Sequence, residues 1–490
     1  MRVDPLLAVR DAPPSTFLWA RWLFLRALGL IFFSAFFALA FQIHGLIGVR
    51  GIEPAGEYLT AVHRALGWMK GVWYAPTLFW LGAGDRAQTL VVWAGMVVSL
   101  LLAANVWPRL TVILSTLLFL ACVAALQDFS AYQSDGMLLE AGFLSCWFAP
   151  RGLWPGLGGG DPPSRFSLFM LRWEWFRIYF ESGIVKLWSG DPHWRNLTAM
   201  DEYYQNGPLP TWVGWYVQHF PHWYHAGTVI LTLFVELFLV WAGWLSRPFR
   251  IGCFLIVTAL QIGIIVTANY CFLNYLVLVL GFLLVDDQTL GWLRLRPSAT
   301  VDVEPRPRWA RAAQTVVLAV ALWATVFAFL PIDAPVLSWP TQLLAPFRVA
   351  NGYGLFAVMT ENRYEIEFEG SRDGTTWIPY PFQYKPQNIY ERPGIYAPYQ
   401  PRFDWNLWFA SLGPWQQSPW VVSVQQRLVE GSPSVLHLFR SDPFGGKPPA
   451  LVRAVIYQYW FTDLATKRRT GAWWKRELLG EYTGVVGGGR

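Results

Sequence analysis

One stretch of this chain concentrates residues able to do chemistry. Leu171–Trp188, LRWEWFRIYFESGIVKLW, is an apolar run that nevertheless holds Arg172, Glu174, Arg177, Glu181 and Lys186. Charge at membrane depth is costly unless it is paired or faces a wet cavity. At ~100° per residue, Glu174, Arg177 and Glu181 fall within about 60° on one helical face. Arg177 and Glu181 stand four residues apart, a spacing that supports an ion pair, so the simplest role for the cluster is to glue helices together. Lys186 lies roughly 140° from Glu181 on the same wheel, with no acid three or four residues away. A desolvated lysine can give up its proton and act as a base. The competing role is a side chain that snorkels to the outer interface. Glu140 and Glu236 also lie in apolar runs, and each could be the counter-ion of Arg172 or Arg177. Structural pairing outweighs proton transfer for both.

Other constellations are weaker. His193, His219, His222 and His225 share one loop, but Pro221 interrupts any regular helical face of ligands, so no metal is expected. Cys122, Cys146, Cys253 and Cys271 all sit in or beside apolar runs with no C-x-x-C pair, which reads as small buried hydrophobes. There is no P-loop, nucleophile elbow, H-E-x-x-H or dinucleotide fingerprint, and no cofactor is expected. Asn196-Leu197-Thr198 is a glycosylation sequon, meaningful in a eukaryotic secretory pathway.

The elements that must position these residues are membrane helices. The chain is 54% hydrophobic and 14% charged, too apolar for a soluble protein of this size. A net charge of +6 does not indicate nucleic acid, because the arginines sit in short loops rather than in one basic stripe. About nine segments approach the ~20 apolar residues that a span needs: 23–43, 88–106, 110–127, 137–149, 166–188, 226–245, 251–268, 271–285 and 312–330. The short fourth segment could be re-entrant, and Ala38-Leu39-Ala40 resembles a peptidase site, although an uncleaved anchor fits its long, acid-bearing flank better. Nine spans place all the arginine-rich loops on one side, the cytoplasm. The expected organisation is a cytoplasmic tail (1–22), a multi-span membrane domain (23–331) with outer loops 44–87, 128–136 and 189–225, and an extracytoplasmic β-rich domain (332–490). In that domain Arg363–Glu369 alternates with period two, Asp373-Gly374 turns the chain, and Thr375–Tyr380 returns as its partner. Leu451–Phe461 reads as a further strand and Asp404–Leu412 as a short helix. The segment Gln383–Trp408 mixes Tyr, Trp and Arg, the types that dominate interfaces. Tyr399, Arg402, Asp404, Trp405 and Trp408 are therefore candidates for contact with a partner. The competing reading packs these rings into a core, with Arg402 and Asp404 as a local ion pair.

Several long motifs resemble the lipase maturation factor family. They are YQSDGMLLEAGFL (Tyr132–Leu144), ESGIVKLWSGDPHWRNLTAM (Glu181–Met200), NYCFLN (Asn269–Asn274), NGYGLFAVMTENRYEIEFEGSRDGTTWIPYPFQYKP (Asn351–Pro386) and APYQPRFDWNLWFASLG (Ala397–Gly413). They are collinear from about residue 60 to about residue 463. The motif residues include Asp135, Gly190, Asp191, Trp194, Asn269, Asn274, Gly352, Gly354, Arg363 and Tyr364. The resemblance implies a multi-pass membrane protein with a lumenal C-terminal domain. Its animal members reside in the endoplasmic reticulum and help secreted lipases fold. In a bacterial branch, to which the arginine-rich composition points, the inner membrane would be the equivalent place. The implied partners are an exported client, a lipase above all, and the lipid bilayer. Tyr399 stands where animal members carry His. Gly183–Trp194 also resembles the membrane core of vitamin K-dependent carboxylases, in which a lysine at the position of Lys186 serves as base. Three functions are thus in play: a non-enzymatic maturation factor, a membrane enzyme using Lys186, and a transporter, which would need charges in several spans rather than clustered in one.

Overall fold

The computed structural model describes residues 16–291, 307–330 and 335–487. The first part of the expected cytoplasmic tail, and Arg294, Arg296 and Arg306 of the longest basic loop, lie outside them.

A helix forms at each of the nine expected segments. In chain order with one further helix these are α1 (Leu18–Ala40), α2 (Ala55–Tyr74), α3 (Asp85–Ala103), α4 (Pro108–Val123), α5 (Gln133–Phe148), α6 (Arg165–Trp188), α7 (His222–Leu237), α8 (Arg247–Thr267), α9 (Leu273–Gly281) and α10 (Arg308–Phe329). Local chemistry sets several starts. Pro108 opens α4, where a missing N–H costs nothing. The Ser164 hydroxyl caps α6 by accepting from the Ser167 N–H. Among the described residues five helices are long and apolar enough to cross a membrane: Leu18–Ala40, Asp85–Ala103, His222–Trp244, Arg247–Thr267 and Arg308–Phe329. Of the other four, α4, α5 and α9 are short, and α6 carries its charges.

The expected outer loop 44–87 is not simply a loop, because it holds α2. That helix is broken by Gly67, whose φ of 74° places it in the left-handed region. Leu66, Trp68, Met69, Trp73 and Tyr74 around the break are exposed.

Helix α6 occupies the centre of the bundle, packed against α5, α7, α9 and α10, while α1 lies against α3 and α9. Its charged face therefore meets other helices, and its polar atoms need partners among them.

The C-terminal region holds an antiparallel four-stranded sheet of order β2-β1-β3-β4, with β1 Arg363–Ser371, β2 Ile378–Pro379, β3 Leu451–Phe461 and β4 Trp474–Gly487. Ile366 and Phe368 of β1 and Val452 and Ala454 of β3 are buried, in register as Ile366↔Ile456 and Phe368↔Ala454. Helices α11 (Arg402–Ala410) and α12 (Trp420–Val429) pack on the sheet. The region is a small sheet among helices and long loops rather than a β-rich domain.

Candidate functional site

The charges of α6 find their partners outside α6. Arg177 donates to Glu140 of α5 and, at 2.6 Å, to the Asn351 carbonyl. Its neighbour Glu181 is farther away, at 3.8 Å. The expected pair thus exists, but as the longer arm of a cluster whose tight contact is Arg177–Glu140. Glu140 in turn accepts from the Asn351 side-chain amide at 3.1 Å and the Tyr353 hydroxyl at 2.8 Å. Glu181 accepts the Tyr353 backbone N–H at 2.7 Å. Glu174 is fully buried on the same face, and neither of its oxygens has a hydrogen-bond partner. Arg172 takes neither acidic counter-ion: it donates twice to the Leu283 carbonyl, at 2.8 and 2.7 Å, and lies over the Phe17 ring.

Glu236 belongs to Lys186. Its carboxylate lies 2.8 Å from Lys186 Nζ, which also donates to the Ser182 and Leu355 carbonyls at 3.2 and 3.1 Å. Lys186 is 2% exposed, so it does not snorkel to an interface. Its acid comes from α7, fifty residues on, where local spacing could not reveal it. Three acceptors match the three protons of an ammonium, and a base would have to break that arrangement first.

The segment 349–359 is therefore clamped onto α5 and α6. The motif after α6 extends the clamp. Gly190, with φ of 75°, turns the chain at the helix end. Asp191 then accepts from the backbone N–H of Met359 at 2.6 Å and of His193 at 2.9 Å. Burial raises the pKa of Asp191, but these N–H groups outweigh it and hold the carboxyl below its usual range. The Trp194 indole donates to the Phe356 carbonyl at 3.0 Å. Gly352 and Gly354 complete the fit: a Cβ on Gly352 would lie 2.9 Å from the Ala328 carbonyl of α10, and one on Gly354 would lie 3.5 Å from Val185.

A second joint lies at α11. Arg402 and Asp135 are both fully buried and form a bidentate pair at 2.7 Å on each arm. Arg402 also donates to the Phe129 carbonyl at 2.7 Å, and the Tyr132 hydroxyl donates to Asn406 at 2.6 Å. Arg402 and Asp404 are thus not a local ion pair, because the segment is helical and the two side chains diverge. Asp404 Oδ1 accepts the backbone N–H groups of Tyr384 and Lys385 at 3.3 and 3.1 Å. Burial pushes its carboxyl up to about 6, against the pull of those N–H groups and of Lys385.

Further motif residues hold loops. Asn269 accepts from the Tyr396 and Ala397 N–H groups at 2.7 and 3.1 Å and donates to the Leu209 and Gly394 carbonyls. Asn274 instead acts inside the bundle, donating to Gln261 at 2.7 Å. Arg363 donates to the Gln205, Gly207 and Pro208 carbonyls and to Glu365. The Tyr364 carbonyl accepts from Ser411 at 3.0 Å.

Four of the five candidate contact residues, Arg402, Asp404, Trp405 and Trp408, are buried, and Tyr399 is half-buried. Among the large apolar side chains of this stretch exposure falls instead on Tyr390 and Ile395, with Asn388, Glu391 and Arg392 exposed beside them. The loop histidines are separately engaged: His193 with Asp191, His222 with Asp201, His219 with the Trp215 and Thr462 carbonyls, and His225 with the Phe220 carbonyl. Among the described residues no three His, Cys, Asp or Glu side chains converge as a metal site would require. Sequence reasoning missed Asn351 and Tyr353 as the reciprocal half of the charged cluster. The signal for them is the dense NGYG motif, Asn351–Gly354.

Comparison with known proteins agrees with this two-part construction. The family model described as the lipase maturation factor transmembrane domain matches residues 19–292, and that of the lipase maturation factor C-terminal domain matches residues 349–484. Lipase maturation factor 1 of Bos taurus is 30% identical, the match covering 95% of this chain and 89% of the relative. Lipase maturation factor 2 of Homo sapiens is 31% identical over 94% of this chain and 82% of the relative. Lipase maturation factor 2 of Gallus gallus is 30% identical over 95% of this chain and 81% of the relative. No solved structure matches.

Proposed function

This chain belongs to the lipase maturation factor family, and from that premise we propose that it is a membrane-embedded maturation factor for exported lipases or related secreted hydrolases. The observation that carries the reading is the collinear match to lipase maturation factors across both the helical and the C-terminal regions. The network of buried side chains in the seam supports a scaffolding role: Glu174 apart, its charges are engaged with one another and with backbone groups, as in a joint. The carboxylase-like reading through Lys186 is not favoured, because its ammonium is occupied by Glu236 and two carbonyls. A transporter is not favoured either, since Arg177, Glu140, Glu181 and Lys186 are tied to segment 349–359 and Arg172 to the Leu283 carbonyl.

All nine apolar helices cross the membrane in this proposal, including the short α5 and the charged α6. The tail 1–22 and the arginine-rich loops face the cytoplasm, and everything from residue 332 onward lies outside. The client meets the outer surface of the 383–408 segment. Tyr390 and Ile395 make the contact, while Tyr399, Arg402, Asp404, Trp405 and Trp408 hold that surface from beneath. A photo-crosslinking residue at Tyr390 tests this in cells. Capture of an exported hydrolase supports the reading, and crosslinks confined to cytoplasmic proteins would overturn both the client and the orientation.

A further inference from the structure

Where the segment around Gln383–Phe403 comes down on the end of α1, it encloses a cavity of about 320 Å³. Its lining combines apolar residues, Phe37, Phe41, Phe403 and Leu438, with polar ones, Gln42, Gln383, Tyr384, Tyr399, Asp404 and His437. Phe37 and Phe41 are 39% and 54% exposed. They continue a ladder of ring contacts, Phe33–Phe37–Phe41, spaced one turn apart along α1. Helix α1 is long and apolar enough to cross a membrane, and in a bilayer acyl chains would lie against this ladder and meet the apolar lining residues. From Phe37 the ring contacts pass to Tyr399 at 6.3 Å and on to Tyr384 at 5.4 Å.

Among the lining residues the carboxyl group is that of Asp404. Asp404 is 2% exposed, and its Oδ1 is taken by the Tyr384 and Lys385 N–H groups, which leaves Oδ2 for a ligand. Two tyrosine rings flank it, and the lining contains no lysine or arginine. A carboxylate beside aromatic faces attracts an ammonium, and an N–H donor adds a charge-assisted hydrogen bond. Lys385 and Arg440 act on Asp404 from outside the lining, so a phosphate would find no lysine or arginine among the lining residues themselves.

We propose that this cavity binds a phospholipid with a primary ammonium headgroup, such as phosphatidylethanolamine, its acyl chain along Phe33, Phe37 and Phe41 and its ammonium at the Asp404 carboxylate. Such a lipid would seal the seam between α1 and the C-terminal region. The inference requires α1 to lie in a bilayer and does not depend on the client.

The test uses the full chain reconstituted in equal parts phosphatidylethanolamine, phosphatidylcholine and phosphatidylglycerol of matched acyl chains, with retained lipids counted by native mass spectrometry after detergent extraction. The expected result is enrichment of phosphatidylethanolamine over both others. Asp404→Asn keeps an acceptor for the two N–H groups and should lower that preference roughly tenfold, equal to about 1.4 kcal/mol. Phe41→Trp, at the exposed mouth, should lower retention of all lipids with an unchanged melting temperature. Equal retention of the three lipids by the wild type, a preference for phosphatidylglycerol, or an undiminished preference in Asp404→Asn would overturn the proposal. So would the absence of any retained lipid.

Discussion

Replacing Arg402 by Met should loosen the C-terminal region from the helical bundle. Arg402 and Asp135 are fully buried, bidentate at 2.7 Å on both arms, and 267 residues apart in sequence. Removing one partner of a buried pair strands the other charge and costs about 3–5 kcal/mol. The lost bond to the Phe129 carbonyl adds about 1 kcal/mol. At roughly 2–4 °C per kcal/mol for a unit of this size, the melting temperature in detergent should fall by on the order of 10 °C. Asp135→Asn should cost a similar amount. Combining Arg402→Met with Asp135→Asn should cost much less than the sum, because no charge is then left unpaired. The assay is a thermal melt of all four proteins, with proteolysis between residues 331 and 348 as a second readout of undocking. A single variant that melts within 1–2 °C of wild type (roughly 0.5 kcal/mol on the same scale), or additive losses in the double variant, would refute the view that this pair joins the two regions.

Three other outcomes follow from the same geometry. The Asp404 carboxyl titrates at about 6 in the folded chain and about 3.9 when unfolded. The folded state therefore holds its proton more tightly, and the stabilisation is full below pH ~4 and lost as pH rises through ~6, at most about 3 kcal/mol in all. Asp404→Asn should flatten the stability profile of the C-terminal region between pH 4 and 6, and a profile that keeps its slope would contradict this. Gly352→Ala should cost about 1–3 kcal/mol by driving a methyl group toward the Ala328 carbonyl, and a melting temperature equal to wild type would show that the 349–359 clamp gives way freely. Lys186→Met alone should destabilise by stranding Glu236, and Lys186→Met with Glu236→Gln should recover both fold and client maturation. Recovery of the fold without maturation would revive a chemical role for Lys186.

How much of this was legible in the sequence depended on distance along the chain. Apolar runs located the helices of the bundle because each signals itself within about 20 residues. Helix α2 was missed because its amphipathic pattern is broken at Gly67. The β1 and β3 strands were read from residue pattern, yet the alternating acids of β1 do not face water. Glu365 and Glu367 are both 1% exposed, paired with Arg363 and Lys385 and with Arg476. The β4 strand escaped notice because, at the sheet edge with register shifts against β3, its burial follows no period of two. The charged cluster was recognised from its spacing on α6, but its counter-ions were not. Glu140, Asn351 and Tyr353 meet Arg177 only through the fold, as Glu236 meets Lys186 and Asp135 meets Arg402. The family-like motifs contain all of these residues except Arg177 and Glu236, and only the fold shows which of them touch.

The central claim is that this chain brings exported lipases to activity. It is tested most directly by the specific activity of secreted lipase, enzyme units per mass of secreted lipase protein, in cells with the gene deleted and in cells with it restored. The account predicts that deletion lowers the active fraction while transcript levels hold, and that the wild-type chain restores it. Equal specific activity with and without the chain, across the exported lipases of that cell, would contradict it.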